Sequence, residues 1–445
     1  MAKFKFKEGL YSDVRIDTTF TTGIRFRNGA LEESKTTTVK KAFLRVFDGE
    51  MWYYASTYKL DDLQGELNKL YANATPNASI LQNPTVKRFE VNKDKIHKFG
   101  KNSVVDVPIA QKQKYLTDKF ALLSSEHLKM AVAVYADKHS DIEFYSSKGA
   151  SVSYDFQLCG MAFSLSFADG ENNFSSMLSK SEDSLEKIQI SDKEVSDFIE
   201  ESEKFLNAKP VTAGEYPVIL SPTTTGVFAH ESFGHKSEAD FMIGDETMRK
   251  EWAIGKKVGS SILSIYDSGL EDGSGYRPYD DEGTKAKKTY LIKDGVLTGR
   301  LHSAATATDL DEDVTGNARA VSCDFEPIVR MTSTVVEAGK LSKDELFAGV
   351  KHGYFIKDYK HGSGMSTFTI APNFAYEIVD GKIGDPVKIA VITGNVFETL
   401  GLIDGVSDKA EIISSAFGGC GKMEQMPLNV SFGGPYVRIS KMNVQ

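Results

Sequence analysis

Gly23-Ile24-Arg25-Phe26-Arg27-Asn28-Gly29-Ala30-Leu31-Glu32-Glu33 alternates apolar and polar residues on the approach to Asn-Gly, the dipeptide best suited to a two-residue hairpin turn. The same punctuation recurs at Asp48-Gly49, Asp169-Gly170, Asp294-Gly295 and Asp380-Gly381, each between runs rich in β-branched, aromatic or alternating residues. Much of the chain is therefore expected to be antiparallel sheet. Helical periodicity over 60–72 and a capping box at Ser191 and Glu194, opening a helix over 191–207, add helices beside the strands and make the fold class α+β.

Between 81 and 113 the lysine-rich, weakly periodic sequence reads as a linker or exposed loop, with helical segments resuming over 115–135. A second β set follows at 142–145, 151–159 and 161–167. The hairpin-hairpin-helix order of 14–73 is echoed in 142–207, which suggests two related halves. Pro210-Val-Thr-Ala-Gly-Glu-Tyr-Pro217 then breaks the pattern and marks a boundary between an N-terminal α+β domain, 1–209, and a β-rich C-terminal domain, 210–445. In the latter, 218–221 reads as a short strand and 226–241 as a helix capped by the Thr223-Thr224-Thr225 cluster. Strands dominate from residue 262, with one capped helix over 342–350, where Ser342 and Glu345 form another capping box.

A chain of 445 residues with 41% hydrophobic and 26% charged residues is an ordinary globular composition, long enough for two or three domains. No apolar run approaches 18 residues, and the start, Met1-Ala-Lys-Phe-Lys-Phe-Lys-Glu8, lacks a signal-peptide core, so no membrane association is expected. The net charge of −9 argues against direct nucleic-acid binding, which calls for a basic surface. Three scattered cysteines, Cys159, Cys323 and Cys420, make no disulfide framework and fit the cytoplasm.

His230-Glu231-Ser232-Phe233-Gly234-His235 places two imidazoles and a carboxylate where one metal ion could use them. The familiar zinc helix spaces its histidines four apart. Here they are five apart, and at about 100° per residue a regular α-helix turns the second ring roughly 140° from the first. A single π-type turn, bonding i to i+5, would realign them, and Gly234 would tolerate the distortion. Two histidines leave a catalytic zinc short of a third protein ligand. Carboxylates are too numerous to choose among, whereas Ala416-Phe-Gly-Gly-Cys420-Gly-Lys422 offers a thiol on a flexible backbone, making Cys420 the best candidate.

These segments together resemble the TldD/PmbA metallopeptidases, a family once labelled modulators of DNA gyrase. The resemblance covers most of the chain: Arg27-Asn-Gly-Ala-Leu-Glu-Glu33, Tyr54-Ala-Ser-Thr57, His230 through Phe241, Asp280-Asp-Glu-Gly-Thr284 and Gly316-Asn-Ala-Arg319. It continues through Arg330-Met-Thr-Ser-Thr334, Ala371-Pro-Asn373, Gly419-Cys-Gly-Lys422 and Phe432-Gly-Gly-Pro-Tyr-Val-Arg438. It implies that His230, His235 and Cys420 bind one Zn²⁺ per active subunit while Glu231 is the general base. It also implies unfolded or small peptides as substrates, taken inside a hollow dimer. The TldE-type (PmbA) partner subunits lack the histidine motif, so this chain resembles the TldD-type, active subunit, either as a homodimer or paired with such a partner. One departure is that the chain begins close to its first strand, without the family's leading helix.

Other residues admit two readings. Glu238 and Asp240, one turn beyond His235, either accept its other ring N–H or are merely solvated. Arg319 either lends a fixed cation to a substrate cleft or braces a turn, and His361 either lines a cleft or sits in a glycine loop. His97, His127, His139, His302 and His352 are expected to be structural, and Cys159 and Cys323 to be core residues. Three functions follow: a zinc peptidase holding an extended peptide at a sheet edge, a cysteine hydrolase built on Cys420, or a non-catalytic regulatory protein with a structural metal.

Overall fold

The structure, a computed structural model, describes residues 3–445. It begins with β1 (Tyr11–Arg27), β2 (Ala30–Phe47) and β3 (Trp52–Thr57), an antiparallel meander closed by α1 (Leu63–Tyr71). Next come α2 (Pro84–Arg88), β4 (Lys93–Ile96) and α3 (Ile109–Thr117). Then β5 (Leu128–Ser146), β6 (Ser151–Asp169) and β7 (Asn172–Glu182) form a second meander closed by α4 (Asp192–Lys204). Because β1 and β5 pair along their length, the two meanders join into one seven-stranded sheet, β3-β2-β1-β5-β6, with β4 and β7 on different stretches of β6. Each meander thus contributes three strands and a closing helix, and β4 is the seventh strand.

The hairpin turns lie at the anticipated dipeptides. Asn28-Gly29, Asp294-Gly295 and Asp380-Gly381 hold both central residues at positive φ, as the twist of a two-residue hairpin requires. Two expectations fail. Residues 81–113 are no linker: they carry α2, β4 and the start of α3, and Val86, Phe89, Phe99 and Val104 anchor them by burial although Leu81, Val91 and Val105 stay exposed. The helical periodicity of 115–135 gives way at Leu128, where the alanine-rich stretch is pinned as a strand by ladders to β1 and β6. Tertiary pairing there overrides local helix propensity.

Past residue 208 the chain builds two further large sheets. β8 (Lys209–Pro210) and β9 (Gly214–Leu220) belong to a ten-stranded sheet, in which β9 lies between Val437–Val444 and His352–Ile356. A six-stranded sheet includes Ser431–Gly434. Between the two runs α5 (Pro222–Ala229), buried along nearly its whole length. This corrects the helix expected over 226–241. Ser221, not the threonine cluster, caps it by accepting from Thr224 N–H, and Pro222 occupies the first turn, where a missing N–H costs nothing.

The N-terminal sheet and the C-terminal region share buried ion pairs. Arg45 bridges Asp13 at 2.7 Å and Glu282 at 3.1 Å, and Arg15 meets Asp281 at 2.9 Å. Tyr11, Phe47 and Phe89 pack with Ala304, Ala307 and Val314 across the same seam.

Gly226 brings α5 against the backbone of Phe432-Gly433, and a Cβ there would lie 2.6 Å from Gly433 N. Gly226→Ala is expected to destabilise the protein by about 1–3 kcal/mol through overpacking, read as a lower midpoint in thermal unfolding. An unchanged midpoint would show that helix and strand are not tightly seated.

Candidate metal centre

At Ala229 the α-helix passes into a π turn, His230–Gly234, and then a 3₁₀ turn, His235–Ser237. The amide of His235 donates to the carbonyl of His230, the i to i+5 bond that the spacing of the histidines demands. The two rings consequently face each other with centroids 5.0 Å apart and planes at 77°. Gly234 has the ordinary helical φ of −57°, so backbone freedom is not why it is glycine. A Cβ there would overlap Met331 Sδ, and this close approach excludes any larger residue.

Cys420 arrives from the opposite direction, on a short hairpin pairing Cys420–Lys422 with Gln425–Leu428. Its Sγ lies 3.4 Å from His235 Nε2, and one ligand atom from each of His230, His235 and Cys420 falls within 4.8 Å of the others. Among the described residues no other such group of metal-ligating side chains occurs. Two buried cations hold the hairpin. Arg330 donates to the carbonyls of Cys420 and Gln425 at 2.8 and 3.1 Å, while Lys422 reaches the Val329 carbonyl.

The acidic residues beyond His235 divide their tasks. Glu238, fully buried, accepts from His235 Nδ1 at 3.3 Å and pairs with Lys422 at 3.0 Å. Asp240 instead takes Lys422 at 2.7 Å and does not reach the imidazole. Glu231 is half-buried beside the strand Tyr359–Gly364, whose Gly362 and Gly364 leave room for it: a Cβ on Gly362 would lie 3.2 Å from Glu231 Cγ. Tyr359 of that strand lies close to Glu231, and burial together with Asp358 and Glu231 pushes its hydroxyl pKa up. Of the other candidates, His361 is exposed, one residue out of phase with Gly362, and stands outside the group. Arg319 is 1% exposed and donates to the carbonyls of Met331 and Asn429, bracing the backbone behind the hairpin.

Burial alone would raise the Cys420 thiol, but the charges and hydrogen bonds of His230 and His235 outweigh it and bring the pKa down to about 5. Burial would likewise lower His235, yet Cys420 and Glu238 lift it to about 10. The metal-free group is therefore a thiolate held by imidazolium. The buried Nδ1 of His230 has no hydrogen-bond partner, an orphaned donor set that a soft divalent ion fits. His230, His235 and Cys420 supply the N₂S set common for zinc.

Residues 213–445 match the PmbA/TldA metallopeptidase C-terminal domain and residues 12–75 match domain 1 of the same family. A metalloprotease of Methanothermobacter thermautotrophicus is 31% identical, over 96% of this chain and 94% of that protein. A zinc metalloprotease TldD homolog of Saccharolobus solfataricus is 35% identical over 52% of each. The fold recurs in TldE of Thermococcus kodakarensis, with a TM-score of 0.73 at 16% identity over 98% of this chain and 96% of that one. A Thermotoga maritima protein that carries the label of DNA gyrase modulator gives a TM-score of 0.79 at 18% identity, over 98% and 96%. The chain belongs to the PmbA/TldD family of metallopeptidases.

The thiols should separate cleanly by reactivity. Burial holds Cys323 up near 12 and Cys159 higher still, whereas Cys420 loses its proton as pH rises past about 5. In metal-stripped protein at pH 6.5, iodoacetamide is expected to label Cys420 alone, with labelling falling away below pH 5 and slowing markedly in His235→Ala. Mass spectrometry of the labelled peptides reads this, and equal labelling of all three cysteines would contradict it.

Proposed function

We propose that the protein is a zinc-dependent peptidase acting on unfolded or small peptides, with His230, His235 and Cys420 as metal ligands and Glu231 as general base. The observation that carries this reading is the π turn, which brings both imidazoles to one thiolate while leaving the carboxylate between them uninvolved in any ion pair. Zinc bound there would polarise a scissile carbonyl and lower the pKa of water from about 16 to about 7. Glu231, free of ion pairs among the described residues, accepts the proton of the attacking water and returns it to the leaving amine. Glu238 orients His235 through Nδ1, which presents Nε2 toward the ion, and Lys422 keeps Glu238 charged.

The intact histidine motif marks the chain as the TldD-type subunit. The fold shared with TldE supports assembly as a dimer, either of two copies or with a TldE-type partner. The three free cysteines suit the cytoplasm, and among the described residues no helix is long and apolar enough to cross a membrane.

A second reading is favoured by one contact, the 3.4 Å approach of Cys420 Sγ to His235 Nε2, which is also the geometry of a cysteine hydrolase dyad. That reading gives no task to the buried Nδ1 of His230, which has no hydrogen-bond partner among the described residues, so the metal reading is preferred. Glu231→Gln is expected to lower kcat on a fluorogenic peptide by about 10²–10⁴ while zinc content stays at one per chain. Chelation should abolish activity and added zinc restore it. Activity that survives chelation but is lost on alkylation of Cys420 would establish the dyad instead.

A further inference from the structure

A polar cavity of about 210 Å³ lies at the seam of the two regions, walled by Asp17, Lys138 and Ser140 of the N-terminal sheet and by Arg277, Asp281 and Cys323 from beyond it. Several charges there are matched: Arg15 pairs with Asp281 at 2.9 Å, and Lys41 pairs with Asp324. Two are not. Lys138 Nζ makes no ion pair or hydrogen bond among the described residues, and Arg277 donates only to the carbonyl of its neighbour Tyr276. Both stand over the ring of Phe156, 6.0 and 4.2 Å from its centroid. Near them Arg319, 1% exposed, has no carboxylate partner and leaves its Nε unbonded. Burial and then Arg277 press the Lys138 pKa down to about 8 against the pull of Asp17, and burial raises that of Asp17, so the two shifts share one cause, poor solvation.

Lys138 also borders an adjoining groove of about 540 Å³. One side of it is formed by β1, β2 and β5, and the other by Ala416, Phe417 and Gly418. Gly418 precedes Cys420 by two residues, so this end of the groove is within about 7 Å of the thiol-bearing residue along the chain. The cavity has room for roughly seven waters at about 30 Å³ each, enough for a carboxymethyl or carboxyethyl group and too little for a nucleotide. A planar guanidinium, an ammonium and one proton of the Thr19 and Ser140 hydroxyls, which are hydrogen-bonded to each other at 2.9 Å, provide donors, as an oxyanion requires.

We propose that this cavity receives a carboxylate carried by the peptide in the groove, so that the site favours substrates with an acidic side chain, or a free C-terminus, a few residues from the scissile bond. The inference rests on the peptidase reading, and the test keeps the two apart by reading binding without turnover. Fluorescent peptides differing only in Glu or Gln at one scanned position, or in a free or amidated C-terminus, are titrated against the full-chain Glu231→Gln protein by anisotropy. At one position the acidic peptide is expected to bind about 10-fold more tightly, since a charge-assisted contact is lost in the amide, and the gap should shrink as salt rises. Lys138→Met and Arg277→Gln, made in the same background, should remove the preference and leave the neutral peptide's affinity unchanged.

Equal binding of every pair by the protein carrying Lys138 and Arg277 overturns the inference, with no folded variant needed, and leaves the peptidase reading intact if neutral peptides bind. Inorganic phosphate that binds through Lys138 without any acidic preference among peptides assigns the cavity to a free anion and overturns it too. A chain that neither binds nor cleaves any peptide defeats the peptidase reading itself, and this inference with it.

Discussion

Five residues separate the two histidines, and that interval dictates the backbone around them. An α-helix carrying them would point the rings apart, so the helix must widen by one residue, and the hydrogen bond from His235 N–H to His230 C=O records that widening. A π turn is intrinsically poor in local stability and needs its surroundings to hold it. Here α5 is clamped between two sheets, Phe233 packs on Trp252 with centroids 4.6 Å apart, and Met331 presses on Gly234. The α-helix ends where the proposed metal ligands begin.

The third proposed ligand illustrates a different constraint. Cys420 lies on a glycine-flanked hairpin with little apolar anchorage, where Met423 and Met426 are 73% and 69% exposed. Its position is set by buried cations. Arg330 grips the hairpin's carbonyls, and Lys422 ties it to Glu238, which in turn holds His235. Breaking such a buried pair by removing one partner typically costs about 3–5 kcal/mol, so the linkage between the two ligand-bearing segments is stiff. The hydrogen bond that sets the His235 tautomer and the ion pair that sets the Cys420 hairpin meet on one carboxylate.

Much of this was legible in the residues. Hairpin dipeptides gave the α+β class, capping boxes at Ser191 and Ser342 formed as anticipated, and the mismatch between a five-residue spacing and a 3.6-residue helix pointed to a π turn. What escaped is what depends on partners distant in sequence. The strand at Leu128–Ser146 exists because β1 and β6 flank it, and Arg330 and Lys422 matter only because folding brings them to Cys420. Lys422 stood inside a quoted motif, and its charge two residues from a candidate ligand was a usable signal. Gly362 and Gly364, which make room for Glu231, carried no signal beyond being glycine in a strand.

The treatment of buried charge separates framework from site. Arg330 and Lys422 are both buried, and their side chains donate to carbonyls and carboxylates supplied by the chain. Such cations are complete without a ligand. Lys138 and Arg277 share an aromatic ring and form no ion pair among the described residues, although Asp17 and Asp281 line the same cavity. Burying a charge is costly unless it is paired, and the seam pairs Arg15, Lys41 and Arg45 without difficulty. A fold able to satisfy its structural cations this thoroughly, yet leaving two open where a cavity adjoins the groove lined by Ala416, Phe417 and Gly418, places its unsatisfied electrostatics where a bound molecule can complete them.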